Sequence, residues 1–524
     1  MRSFRDLTQD RSQKPFMVGA ELVTSRSNFD SKDGEKVVRE ADELAEWGGV
    51  DWVSITDNAG GHPMMAPSYI GRRLLDKDMD VIVHVTCKDR NRNAIESLLW
   101  QYDAEGLKNI LCLTGDFPAD GYHGIGAPVF DLDSTTLLKM LADMNAGLKA
   151  PGRKPGSIIE LPRTDFFTGA AVSPFKNNEA ELMCQYLKME LKIESGAGFL
   201  IPQLGYDMRK SHELLIYLKQ HGFDTPVFGN IYILTRGVAS VFNRKVIPGC
   251  VVSDKLLEDA KAAAKADDKG KRYFLELAAK QYACFKGLGY RGAYIGGFMK
   301  AADVKKVVEL GEAYAEDDWK SFARDLVYPD GDDFYLFARD EDTGLADPER
   351  ESPEVVAAAD KVDPKEITLM FHFNRFVHAV AFEPGGMLYK PVQKLYKALD
   401  GKFPRTEKFM QWQEKVFKKA MFNCQDCGDC SLFDCQYMCP GANCKKNQRN
   451  GPCGGSRGPL CESADVPCMW YRAYHRAKKA GKLREFLKRD LVLRDQSLQG
   501  TSSWANFFTG RDHSAEAGTD ATGE

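Results

Sequence analysis

Nine of the 14 cysteines lie between Cys424 and Cys468, in the run Cys424-x2-Cys427-x2-Cys430-x4-Cys435-x3-Cys439-Pro440 followed by Cys444, Cys453, Cys461 and Cys468. Cysteines this dense in a long chain point to metal. A Cys-x2-Cys-x2-Cys run ending in Cys-Pro is a spacing that wraps an iron–sulfur (4Fe-4S) cluster. A structural zinc held by four of the sulfurs is one alternative, and a disulfide knot is another. Cys424, Cys427, Cys430 and Cys439 form one natural ligand set, and Cys435, Cys444, Cys453, Cys461 and Cys468 would have to supply any second. Cys87, Cys112, Cys184, Cys250 and Cys284 sit in apolar or helical surroundings and read as ordinary buried residues.

A second set of chemically capable residues is spread over the first 230 positions. Glu21, Thr56, Asp57, His84, Thr86, Asp116, Gln203 and Asn230 each end or follow a short apolar run. A carboxyl in such a place either transfers protons or caps the next helix, and for Asp57 and Asp116 taken singly the two readings weigh equally. No helix starts near Glu21, which favours the chemical reading there. His84 alone on a strand reads first as a satisfied core histidine. Recurrence of such groups at successive strand ends favours a shared site.

The elements that must position them alternate. Phe16–Leu22, Val50–Thr56, Asp80–Thr86, Asn109–Gly115, Phe166–Ala171, Gly198–Gln203, Val227–Ile233 and Ala293–Phe298 read as strands. Between them lie helical patterns at Gly34–Trp47, Ala66–Leu75, Ala94–Ala104, Ser134–Ala146, Asn178–Ser195, Met208–His221 and Asp254–Leu288, with Ala301–Ala315 after the last strand. Eight such repeats predict an α/β protein with a (β/α)8 TIM barrel, whose chemistry sits at the strand C-terminal ends. A doubly wound sheet is the alternative, but Glu21-Leu22-Val23-Thr24 is not a glycine-rich nucleotide turn.

The barrel is expected over 1–320, a linker or excursion over 321–365, a cysteine-rich metal-binding domain over 366–495 and a disordered tail over 496–524, apart from an aromatic anchor at Trp504, Phe507 and Phe508. The basic helix expected over Tyr471–Arg494 reads as a solvated face or as a docking surface for an acidic redox partner. A net charge of -4 gives no footprint for nucleic acid. No run approaches the ~20 apolar residues of a membrane span. Met1–Lys14 lacks an apolar signal core, so a cytoplasmic location is expected.

The first ~300 residues resemble methylenetetrahydrofolate reductases, which are flavin-binding barrels. The likeness rests on Ala20-Glu21-Leu22, Val53-Ser54-Ile55-Thr56, Val83-His84-Val85-Thr86-Cys87, Leu113-Thr114-Gly115-Asp116-Phe117-Pro118 and Pro202-Gln203, in order along the chain. The last ~150 residues are similar to the cysteine-rich domain found with such reductases in acetogens and related anaerobes, through Phe376-Val377-His378, Phe382-Glu383-Pro384-Gly385 and Arg449-Asn450-Gly451-Pro452-Cys453-Gly454-Gly455. The resemblance implies reduction of 5,10-methylenetetrahydrofolate to 5-methyltetrahydrofolate, with Glu21 as general acid and Asp116 beside the flavin. It implies flavin contacts from Thr56, His84, Thr114, Gly115 and Lys192, the last at the phosphate, and folate contacts from Gln203, Asp207 and Asn230.

Thr114 replaces the family's arginine, Leu191 another, and Val172 its tyrosine, so the grip on flavin (FMN or FAD) must differ. The cysteine domain of such relatives carries iron–sulfur clusters or zinc. Expected partners are methylenetetrahydrofolate, a redox partner protein or NAD(P)H, and further copies of the chain. The competing expectation is a non-catalytic folate-binding assembly subunit with structural zinc. Methyl transfer between folate and a corrinoid is a third reading, against which Glu21 argues.

Overall fold

The computed structural model describes residues 3–298, 300–329 and 333–517. The last seven residues of the expected tail and positions 330–332 of the expected linker lie outside the described residues. Two compact units emerge: Met1–Ala359 together with Cys453–Gly458, and Asp360–Pro452 together with Pro459–Glu524.

Eight parallel strands form the first unit: β1 (Met17–Leu22), β2 (Trp52–Ile55), β3 (Val81–Thr86), β4 (Asn109–Leu113), β5 (Phe167–Val172), β6 (Phe199–Pro202), β7 (Phe228–Tyr232) and β8 (Gly292–Gly296). Neighbours pair in the order β6-β5-β4-β3-β2-β1-β8-β7, and the bridge Leu200–Val227 joins β6 to β7. The sheet thus closes into a (β/α)8 barrel. Alternation sets what each strand offers. Met17, Gly19 and Glu21 share one face of β1, and Val18, Ala20 and Leu22 pack outward with the helices. At Gly19 a Cβ would fall 2.0 Å from the Trp52 ring, so this glycine admits the indole into the interior.

A short helix missing from the sequence reading, α1 (Phe4–Gln9), closes the N-terminal end of the barrel. Ser3 and Asp6 cap it reciprocally. Phe4 is fully buried among Trp52, Phe167, Phe199 and Phe228, with ring centroids 5.0–5.9 Å away. The long helix expected over Asp254–Leu288 is two, Asp254–Ala263 and Lys271–Leu288, separated by Lys269 and Gly270 at positive φ.

The expected linker is not an extended connection. Leu326, Phe334 and Leu345 join the main core, and a two-stranded hairpin, Phe337–Arg339 with Ala346–Glu351, packs on Ile216. Glu213 holds it by accepting the N–H groups of Leu336 and Phe337 at 2.6 and 3.2 Å.

The second unit is helical around irregular cysteine loops. Leu369–Ala381, Tyr389–Leu399 and Pro404–Phe422 precede the cysteines, and the basic helix ends early, Met469–Ala480, because Gly481 takes a left-handed cap. The tail departs from the expectation of disorder: Ser503–Thr509 is helical, and Phe508 is buried against Phe382 and Tyr396. The expected aromatic anchor at Trp504, Phe507 and Phe508 is the part that finds a core to join. Among the described residues no helix is long and apolar enough to cross a membrane.

Candidate functional site

The C-terminal ends of the barrel strands collect the polar groups. On β1, Glu21 accepts a hydrogen bond from the Tyr294 hydroxyl of β8 at 2.7 Å. Tyr294 Oη lies 3.5 Å from His84 Nε2, which is 2.8 Å from Ser54 Oγ. Glu21, Tyr294, His84 and Ser54 thus form one polar chain across the interior. Burial raises the proton affinity of Glu21 and the Tyr294 bond opposes it. Burial lowers His84 to about 4, so its imidazole is neutral near pH 7.

Asp116 follows β4 on a turn that Gly115 makes possible. Gly115 has φ +87°, and a Cβ there would lie 3.0 Å from Thr86 Cβ. The Asp116 carboxylate accepts the Gly60 N–H at 3.0 Å. Asp116 and Glu21 act on a common neighbour: burial and both carboxylates push the Cys250 thiol up to about 12. Burial, Glu21 and Cys250 push Tyr232 up to about 12 as well. Both acids thus lie within electrostatic reach of Cys250, a residue read from sequence as an ordinary buried one.

Gln203 follows β6, its Oε1 accepting from Leu204 N at 2.9 Å. Asn230 donates to Pro202 O at 3.1 Å. The loop carrying Cys250 passes over Gln203 at Gly249, where φ is +80° and a Cβ would stand 3.1 Å from Gln203 Nε2. Thr114 Oγ1 is 3.3 Å from Ser134 Oγ, at the start of the next helix.

Asp207 has partners within the chain. It caps the helix Met208–Gln220 by accepting Lys210 N at 3.1 Å, and its other oxygen accepts the Tyr335 hydroxyl at 2.5 Å. Both carboxylate oxygens of this buried side chain thus carry a hydrogen bond that secures the fold. Asp57 is likewise structural, bonded to Thr86 and Arg90.

The residues fit a flavin on two observations. Thr56 Oγ1 is buried without a hydrogen-bond partner among the described residues. Lys188 and Lys192 are both buried, and burial together with Lys188 brings Lys192 down to about 7. Lys192 donates to Ala171 O at 2.6 Å. Two buried lysines in each other's field favour an anion such as a phosphate. Lys188, Tyr294 and Ser54 were missed from sequence. The signal was available, since Tyr294 and Ser54 occupy inward parity positions on their strands.

The strap Cys453–Gly458 also belongs to the barrel unit. Buried Lys176 donates to Gly454 O at 2.7 Å and Ser456 O at 2.5 Å, and Gln185 donates to Cys453 O at 2.8 Å.

In the second unit the thiols sort by their mutual effects. Burial raises Cys424 and Cys439, the latter to about 12, and Cys430 and Cys427 add to both. Cys424, Cys427, Cys430 and Cys439 thus lie within electrostatic reach of one another. Burial, with Cys444 and Cys461, affects Cys468, at about 12. Cys435 is set apart: burial raises it to about 11, and its charged neighbours are Arg489, Asp434 and Arg449. Thiols that resist ionising in one another's field are those a bound cation would ionise. Asp426 N donates to Cys424 Sγ, opposing the effect of burial on that thiol, and Ser463 N donates to Cys461 Sγ, both at 3.4 Å. Among the described residues, Asp429, Asp512 and His513 bring three ligand atoms within 4.8 Å of one another, and no three of the cysteine sulfurs come that close. Burial works against charge on His513, but Asp429 and Asp434 outweigh it and lift it to about 10, so this is an ion-paired imidazolium.

A closed parallel barrel with acid, phenol and amide groups gathered at its strand ends defines a TIM-barrel protein of the enzyme-bearing kind. Residues 8–286 match the family profile described as methylenetetrahydrofolate reductase, and residues 403–496 match one described as methylene-tetrahydrofolate reductase C terminal. The chain belongs to the methylenetetrahydrofolate reductase family. It is 24% identical over 237 residues to methylenetetrahydrofolate reductase 1 of Schizosaccharomyces pombe, covering 44% of this chain and 35% of that protein. It is 25% identical over 241 residues to a probable methylenetetrahydrofolate reductase (NADPH) of Caenorhabditis elegans, covering 45% and 33%. The matches span only about a third of each of these relatives.

Among solved structures, one similar chain is an uncharacterized protein from Clostridium thermocellum that binds two copies of 5-methyl-5,6,7,8-tetrahydrofolic acid. It is 13% identical, with coverage of 56% of this chain and 93% of that one and a TM-score of 0.40. A tryptophan synthase from M. tuberculosis is 11% identical, with coverage of 60% and 97% and a TM-score of 0.33. Scores this low carry no functional weight.

Proposed function

We propose that the barrel reduces 5,10-methylenetetrahydrofolate to 5-methyltetrahydrofolate with a bound flavin, and that the second unit holds an iron–sulfur cluster through Cys424, Cys427, Cys430 and Cys439 for electron delivery. The observation that carries the reading is a desolvated Glu21 at the C-terminal end of a barrel strand, bonded to the Tyr294 hydroxyl at 2.7 Å, in a chain of this family.

Flavin, when bound, supplies hydride to the one-carbon unit. Thr56 would hydrogen-bond it, and Lys188 and Lys192 would hold its phosphate. The remaining chemistry falls to the chain. The folate's five-membered ring must open to an iminium, which needs a proton on the departing nitrogen. Glu21 supplies that proton, because a carboxyl raised by burial stays protonated closer to neutrality. Asp116, as an anion, favours the cationic iminium. Gln203 donates and accepts at once, matching the amide edge of the pterin. Tyr294 orients Glu21 and limits how far its proton affinity rises.

Glu21→Gln tests this. The expected result is a loss of about 10²–10⁴-fold in folate reduction with reduced viologen as donor, flavin content unchanged. Full turnover in the variant removes Glu21 from the role. Zinc without iron, and no turnover in flavin-loaded protein, would favour the assembly-subunit reading instead.

A further inference from the structure

Lys418 lies on the helix Pro404–Phe422 just ahead of the cysteines, and it is buried. Its Nζ is 3.6 Å from Cys430 Sγ and 3.0 Å from Glu414 Oε1, and it also donates to Ser503 Oγ. A lysine and glutamate four apart on a helix normally meet at the surface. Here the side chains are only 7% and 5% exposed. Glu414 is held in turn by Ser502 Oγ at 2.5 Å, Ser503 Oγ at 2.7 Å and Trp504 N at 3.3 Å.

The same C-terminal segment wraps the loop that carries the first three cysteines. Gln499 donates to Gln425 O at 3.2 Å and to Asp426 O at 2.9 Å. Gly500 N donates to Asp426 O at 2.9 Å, and Asn506 to Gly428 O at 2.8 Å. At Gly428, φ +72°, a Cβ would fall 1.8 Å from Leu498 O, so the clamp and the loop fit only with glycine there. Most of this segment lies beyond residue 496, where the C-terminal family match ends.

We propose that Lys418, fixed by Glu414 and the C-terminal segment, is a positioning residue of the four-cysteine site that donates to the Cys430 thiolate and raises the reduction potential of the cluster held there. The inference rests on the reading that these four cysteines bind an iron–sulfur cluster. Reduction adds one electron, from an external one-electron donor, and no proton. It makes the site more negative. The N–H···S bond from Lys418, and the dipole of its ion pair with Glu414, whose positive end lies 3.6 Å from Cys430 Sγ, therefore stabilise the reduced state more than the oxidised one. The clamp keeps the ammonium in place and shields that end of the loop from water.

The test uses the full chain, prepared anaerobically, as wild type, Lys418→Met, Lys418→Arg and Ser503→Ala. Iron and sulfide content come first. Wild type without iron sinks the cluster reading, and this proposal with it, whatever Lys418 does. With iron present, a dye-mediated redox titration followed by absorption and electron paramagnetic resonance decides about Lys418. Lys418→Met is expected to keep its iron and shift at least tenfold against reduction, about 59 mV more negative for one electron. Lys418→Arg should recover most of the shift. An unchanged midpoint in iron-replete Lys418→Met overturns the proposal. Should that variant lose iron, Ser503→Ala decides, since it keeps the charge and removes the hydroxyl that bonds both Lys418 and Glu414: a lowered midpoint supports the proposal and an unchanged one overturns it.

Discussion

The proton affinity of Glu21 is set by two opposed neighbours, a desolvating mouth that raises it and the Tyr294 hydroxyl, 2.7 Å away, that lowers it. Tyr294→Phe removes only the second, so the Glu21 pKa rises further. If Glu21 acts as the acid, activity falls as pH passes that pKa. The alkaline limb of the kcat/KM profile should therefore move to higher pH in Tyr294→Phe and vanish in Glu21→Gln. An unmoved limb would detach Tyr294 from the acid. His84, lowered to about 4, stays neutral across this range and cannot produce the limb. Glu21 and Asp116 were legible in sequence because each stands at the end of a β-run. Asp207 presented the same local signature, an acid between an apolar strand and a helix. Both take the hydroxyl of a distant tyrosine, Tyr294 on Glu21 and Tyr335 on Asp207, but Asp207 also accepts Lys210 N as the cap of the helix Met208–Gln220. An acid that caps a helix and one that does not look alike in one dimension.

Strands were the legible elements, since period-two alternation of inward and outward residues is written directly into each run. All eight barrel strands fall within two residues of the runs read from sequence at either end. Element breaks that depend on tertiary contact were not legible. Six residues, as in α1, are too few to show a helical period, and α1 draws its stability from Phe4 packing into the barrel floor. Phe4→Ala should therefore cost about 3–5 kcal/mol, far more than terminal residues usually do. Chemical denaturation of the full chain, followed by tryptophan fluorescence, measures it through Trp52, whose ring centroid is 5.0 Å from that of Phe4. A loss under about 1 kcal/mol would mean that the floor closes without the helix. In the C-terminal segment the aromatic anchor at Trp504, Phe507 and Phe508 was legible but its seat was not: composition there signals disorder, and the three rings meet Phe382, which lies more than a hundred residues earlier.

Order along the chain and membership in a compact unit diverge at one place. Cys453–Gly458 comes late in the sequence, among the clustered cysteines, yet it belongs to the barrel unit, and Lys176 holds it there through two carbonyls. The strap's Gly458 N–H is in turn bonded to Glu181, whose proton affinity burial lifts to about 7 against the pull of Lys176, that N–H and Arg457. Sequence reading assigned Cys453 to the metal set by proximity in number alone. If the strap is part of the barrel, loosening it should register locally. Lys176→Met leaves two strap carbonyls without their charged donor, a loss of about 1–3 kcal/mol. Native-state hydrogen exchange on the full chain should then quicken at Gly454–Gly458 by about 10–100-fold, because exchange there follows local opening. The amides around Cys424–Cys439, in the other unit, should keep their rates. Equal acceleration in both regions would indicate that the two units open together. An unchanged strap would mean that Lys176 is not what secures it, leaving Gln185 and its bond to Cys453 O as the anchor to test next.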